Sequence, residues 1–150
     1  TLAVVDGARV YMAQIELTNG VREAAMFAVK GNYNVWCRDP GDSAAADPGM
    51  PVSVPCPAGA TATNYGADPG NLAYRIAADA QGMDRGAIAL EQPLCGPGPG
   101  LPTSLCSAVP TPRYVTVRAT YQFSPITPLL SQIWGNSLVL SASSTGRVET

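Results

Sequence analysis

The sequence contains no histidine. That absence excludes Ser-His-Asp and Cys-His nucleophiles, His-ligated zinc and haem, and the commonest general base. Charge is scarce as well: charged residues make up 13% of the chain, about half the usual share. Nine residues are basic, only one of them is a lysine, and none cluster. With a net charge of −2, no electrostatic basis for nucleic-acid or anionic-membrane binding remains. There is no P-loop, dinucleotide fingerprint or EF-hand spacing. The composition therefore argues against an enzyme and implies no cofactor and no metal. No apolar run is long enough to span a bilayer.

What is there fits one domain. The 150 residues are 46% apolar, enough for a real core. Fifteen glycines and 14 prolines without a period point to long loops rather than a fibre. The four cysteines, Cys37, Cys56, Cys95 and Cys106, sit in loop-like, Pro/Gly-rich surroundings, and none forms a C-x-x-C pair. An even number in loops suggests an oxidising compartment. Three pairings satisfy four cysteines. The two local ones, Cys37–Cys56 and Cys95–Cys106, are favoured because each staples a loop with little core of its own, for about 3 kcal/mol. The alternative is four buried thiols.

Residues 1–30 read as one proline-free helix, with apolar residues recurring at Val4, Ala8, Tyr11, Ile15, Ala25 and Val29. Gly31 is its C-terminal cap. Asn19-Gly20 should bend or weaken it by roughly 1 kcal/mol. Thirty helical residues span about 45 Å, longer than a domain of this size needs. Thr1-Leu-Ala-Val-Val is apolar on all sides and uncapped, so the helix is expected to continue an apolar segment upstream. Residues 31–70 are irregular and acidic, with a short strand at Val52-Ser-Val; their aspartates lack calcium-loop spacing. A second helix is expected, capped by Asp68 with Pro69 at its first position, with Leu72, Ile76 and Ala80 inward and Gly82 closing it.

The remainder is strand-like. Ala87 to Glu91 is a first strand, and Pro93 to Pro112 a long loop. Residues 113–123 alternate, with Val115, Val117, Ala119, Tyr121 and Phe123 on one face. A short helix follows between Ser124 and Gly135, with Ile126, Leu130 and Trp134 as its core face. Residues 137–149 alternate again, with Leu138, Leu140 and Ala142 inward, and should pair antiparallel with 113–123. The expected fold is α+β: a long N-terminal helix on a small antiparallel sheet of three to four strands, with disulfide-stapled loops. The apolar side of residues 8–29 should cover the sheet face of Val115, Val117, Ala119, Leu138 and Leu140, leaving the first two turns projecting.

The stretch Val5-Asp-Gly-Ala-Arg-Val-Tyr-Met-Ala-Gln-Ile-Glu-Leu-Thr-Asn-Gly-Val-Arg-Glu-Ala-Ala resembles the helix that leaves the membrane in TadE-like proteins. The family pattern there is Asp-Phe-Gly-Arg, an aromatic, and later Ala-Arg-Glu-Gly-Ala-Arg. Asp6, Arg9, Tyr11, Arg22, Glu23 and Ala25 fall on it, while Gly7-Ala8 replaces the Phe-Gly and Met26 stands where arginine is common. Tyr121-Gln-Phe-Ser-Pro-Ile-Thr-Pro-Leu-Leu is similar to the family's strand-to-helix turn. Ser141-Ala-Ser-Ser-Thr-Gly-Arg-Val-Glu is similar to its last strand, and Gln81 to Leu90 to its turn into the first strand. The order of parts is kept.

The resemblance implies one pilin-like soluble domain: residues 1–30 continue a transmembrane segment, and residues 31–150 form the globular part. It implies a pseudopilin or minor pilin of the tight-adherence (Flp, type IVc) pilus system. Such a protein is anchored in the inner membrane with its domain in the periplasm or at the cell exterior. Its partners are other pilin-like subunits and inner-membrane pilus assembly proteins, and it performs no catalysis. The expected subunit contacts and membrane-proximal residues are Leu2, Val5, Asp6, Arg9, Tyr11 and Met12. Asp6 and Arg9, three apart on one face, either pair locally or meet a neighbouring helix. A second reading is a small secreted, disulfide-stapled binding or adhesin module. Trp36 is expected to cover the adjacent disulfide. Asp79, Asp84 and Glu91 are the only candidates for paired carboxylates, and the surrounding pattern gives them no pocket.

Overall fold

The computed structural model describes residues 2–33, 35–37, 70–98 and 104–149, apart from the side chains of Leu2, Ser107, Leu129 and Trp134. The expected strand at Val52-Ser-Val, the Asp68 cap, Pro69 and Cys56 lie outside the described residues. Helix α1 spans Leu2–Phe27 and runs into a π-helical turn at Ala28–Asn32. Gly31 ends that run with φ of 89°, a left-handed conformation that glycine adopts without a Cβ penalty. Helix α2 is Leu72–Asp79, and α3 is Pro128–Trp134. The strands are β1 Ile88–Leu90, β2 Leu94–Gly96, β3 Ser104–Leu105, β4 Tyr114–Phe123 and β5 Leu138–Arg147.

The fold is α+β, a long N-terminal helix laid on an antiparallel sheet. The sheet has five strands among the described residues, because the stretch read as a loop from Pro93 to Pro112 contributes β2 and β3. Those strands have only three and two residues, too short for an alternation to register. β4 is the centre. β5 pairs along its whole length, with Ala119 opposite Ala142, while β1 and β2 share the other edge end to end. The inward faces are borne out: Val115, Val117, Ala119, Tyr121 and Phe123 are buried in the core, as is Ala142, but the alternation of β4 is not strict, because Thr116 on its other face is buried too, its hydroxyl paired with that of Thr145 on β5.

α1 packs on β4, β5 and α2. The buried face of α1 and the turn that continues it is Ala13, Leu17, Val21, Ala24 and Ala28, helical spacing with three small residues that let the axis come close to the sheet. This corrects the sequence expectation. Val4, Ala8, Tyr11 and Ile15, taken as the start of the packing stripe, point outward, and only Ala25 and Val29 of that series turn inward. The helix carries two apolar stripes, so periodicity alone does not choose between them.

Gly20 is likewise not a weak point. A Cβ there would lie 3.0 Å from the Ile76 carbonyl oxygen and 3.1 Å from its Cα, so the glycine is where α1 and α2 cross. At Gly146 of β5 a Cβ would instead meet the Val29 side chain. The cap of α2 is Asn71 rather than the expected Asp68, its side chain accepting the Ala73 N–H at 2.8 Å, and the helix ends at Asp79 before it reaches Gly82. Leu72, Ala73, Ile76 and Ala77 are its buried residues.

Candidate functional site

The first turns of α1 are held by a buried carboxylate. Asp6 is 1% exposed. Its Oδ2 accepts the Thr127 backbone N–H at 2.9 Å, the Thr127 hydroxyl at 2.8 Å and the Ile126 N–H at 3.1 Å. Its Oδ1 meets Arg9 at 3.2 Å. The Thr127 N–H, with its hydroxyl, holds the carboxyl below its usual range, against the opposing push of burial. Asp6 thus satisfies, from a different helix, the N–H groups of Ile126 and Thr127 in the turn that leads into α3. Pro125 and Pro128 flank the two donors and have no N–H of their own.

This corrects the expectation that the first two turns project. One side of them is tied to the β4–α3 connection by Asp6; the other side faces solvent. It also corrects the face proposed for the short helix. Ile126 is 70% exposed because its backbone, not its side chain, is the docking group, whereas Leu130 is buried. Trp134's side chain lies outside the description.

The sequence-predicted contact residues therefore divide. Asp6 and Arg9 form the local pair, and Arg9 also lies over Phe123, 5.1 Å from the ring centroid. Val5, Tyr11 and Met12 are exposed, together with Val4 and Ile15. Val4 is 75% exposed and Tyr11 67%. The side chain of Leu2 is not described. Beside this stripe lies an open groove of about 450 Å³. Val4, Val5, Ala8 and Met12 line it on the helix side, and Tyr121 and Phe123 form its floor. Glu16 closes one end, where its carboxylate accepts the Gly82 N–H at 3.1 Å.

The Cys95–Cys106 disulfide is formed, as expected. Cys37 is buried and disulfide-bonded, next to the buried Trp36; its expected partner, Cys56, lies outside the described residues. The three carboxylates considered for catalysis have separate structural settings. Asp84 caps a turn by accepting the Gly86 N–H, Glu91 faces Arg118 at 3.7 Å, and Asp79 ends α2. Among the described residues no group of acids and cysteines is placed to hold a metal ion. No helix among them is long and apolar enough to cross a membrane.

Sequence reasoning missed the Asp6–Thr127 and Glu16–Gly82 links. Their acceptors bind backbone amides far away in the chain, and such partners leave no local pattern. The one available signal was Thr127-Pro128, a helix start with no acid of its own nearby to cap it. The chain has no match among protein-family models, curated proteins or solved structures.

Proposed function

We propose that this chain is a pseudopilin-like, non-catalytic subunit of a tight-adherence pilus assembly system, which acts by docking the outward face of α1 against helices of other subunits. The observation that carries the reading is the outward stripe. Val4, Val5, Tyr11, Met12 and Ile15 are exposed together on one face of one helix, although the domain has already covered its sheet with the opposite face. Contiguous exposed apolar surface of this kind marks an interaction site rather than ordinary surface.

The resemblance of Asp6, Arg9, Tyr11, Arg22 and Glu23 to the TadE-like helix supplies the class of partner: pilin-like helices and inner-membrane assembly proteins. On this reading the domain lies outside the cytoplasm, in agreement with the disulfide, and is anchored through sequence upstream of Thr1. A secreted binding module would account for the disulfide equally well but leaves the stripe without a role.

The test is deletion in the native host, followed by counts of surface pili and attached cells. The reading expects both to fall sharply and to return with the full-length gene. Normal piliation and attachment in the deletion strain would overturn it. Recovery by residues 1–150 behind a cleavable signal would overturn the anchor alone.

A further inference from the structure

We infer that the groove beside the outward stripe receives a lysine or arginine side chain from the helix of another subunit that docks there, its stem along the apolar floor and its cation on Glu16 and Tyr121. The inference rests on the docking reading above and states the chemistry that reading requires of the partner. The groove shares Val4, Val5 and Met12 with the stripe, so a helix seated on the stripe carries its flanking side chains over the groove.

The groove is an apolar trough with one polar end. Arg9 lies over Phe123, and Asp6 reaches Ile126 and Thr127, so β4 and the turn after it run beneath α1 in the opposite direction. Two residues back along β4, Tyr121 is about 7 Å from Phe123, toward Ala13 and Glu16, which follow Arg9 by about one and two helical turns. There Glu16 accepts the Gly82 N–H through Oε2, while Oε1 accepts no hydrogen bond among the described residues. A Cβ on Gly82 would lie 2.7 Å from Oε1, so the glycine makes the room in which the carboxylate rests. Tyr121 is 7% exposed and lines the groove, and its hydroxyl has no hydrogen-bond partner among the described residues. A buried hydroxyl without a partner is uncommon and points to one that binding supplies.

Charge selects the occupant. Asp6 and Arg9 answer each other. Glu16 belongs to none of the ion pairs among the described residues. The groove therefore holds one uncompensated charge, a negative one at the Tyr121 end, and an anion entering it would meet that charge. A wholly apolar partner would cover the carboxylate and the hydroxyl and answer neither, which opposes docking. A basic side chain answers both. Lysine and arginine lay their methylene stems on apolar surface and keep the charged head on polar atoms, which is the layout of this trough.

The experiment titrates the 150-residue chain at low salt with two helical alanine-leucine peptides, one carrying a single lysine and the other norleucine in its place. Binding is read from the amide chemical shift of Gly82. The lysine peptide is expected to bind roughly tenfold more tightly than the norleucine peptide. That advantage should vanish in Glu16→Gln, whose amide oxygen can still accept the Gly82 N–H, and fall roughly threefold in Tyr121→Phe. Equal binding of the two peptides, or an advantage that survives Glu16→Gln, would overturn the site. Binding of n-butylamine as tight as that of the lysine peptide would overturn the helical partner and leave a pocket for free amines. Dimerisation of the chain that Glu16→Gln abolishes would place the cation on a second copy and overturn a separate partner. Lysine-peptide binding by a protein whose deletion leaves pili intact would keep the site and remove the pilus reading. Loss of pili on deletion, fully restored by Glu16→Gln, would do the reverse.

Discussion

Asp6 is the residue on which the entry of the chain into the domain depends. Its carboxylate organises two backbone N–H groups, a hydroxyl and a guanidinium. Because these donors stabilise the charged form, the folded pKa lies below the unfolded one. The stability this supplies is present above the ordinary carboxylate range and is lost as pH falls through the depressed folded value. Asp6→Asn should lower the thermal midpoint at neutral pH by several degrees and flatten its decline in acid. Thermal melts across pH 2 to 7 read both; parallel curves for the two proteins would contradict this account. The Cys95–Cys106 pair was legible because both cysteines sit among loop-forming residues. The Cys95–Cys106 bridge closes a loop with a sequence separation of 11, and Cys95→Ser with Cys106→Ser should cost about 3 kcal/mol in denaturant melts. Asp6 was legible only as a possible partner of Arg9, since its main partners lie 120 residues away or more.

Among the elements, α1 shows where pattern reading stops. The sequence marks a helix, but two apolar stripes share it, and only the packing reveals that Leu17, Val21 and the alanines go inward. The strands lacked that ambiguity. A period of two offers two faces, and in β4 the other face carries Arg118, Thr120 and Gln122. Gly20 separates propensity from packing. In isolation a β-branched replacement would favour a helix over glycine by a few tenths of a kcal/mol. In this fold it meets the Ile76 backbone, so Gly20→Val should instead destabilise by about 1–3 kcal/mol in equilibrium unfolding. A neutral or stabilised variant would show that α2 yields without cost. Val117→Asp, at a fully buried position of β4, should prevent folding, because an unpaired charge there costs several kcal/mol.

For the whole molecule, the α+β class, the antiparallel pairing of the two long strands and the loop disulfide could be read from periodicity and turn chemistry. The short strands β2 and β3 could not, nor could the way Asp6 draws the first turns of α1 onto the β4–α3 connection. Docking through the outward stripe is the central claim, and it separates function from stability. Tyr11 and Ile15 face solvent, so Tyr11→Glu with Ile15→Glu should leave folding stability within roughly 1 kcal/mol of the parent. The most direct measurement is complementation of a deletion strain with this double variant, expressed to the parental level and counted for surface pili. The double variant is expected to be folded and abundant and to fail to restore pili. Full restoration by the charged stripe would contradict it.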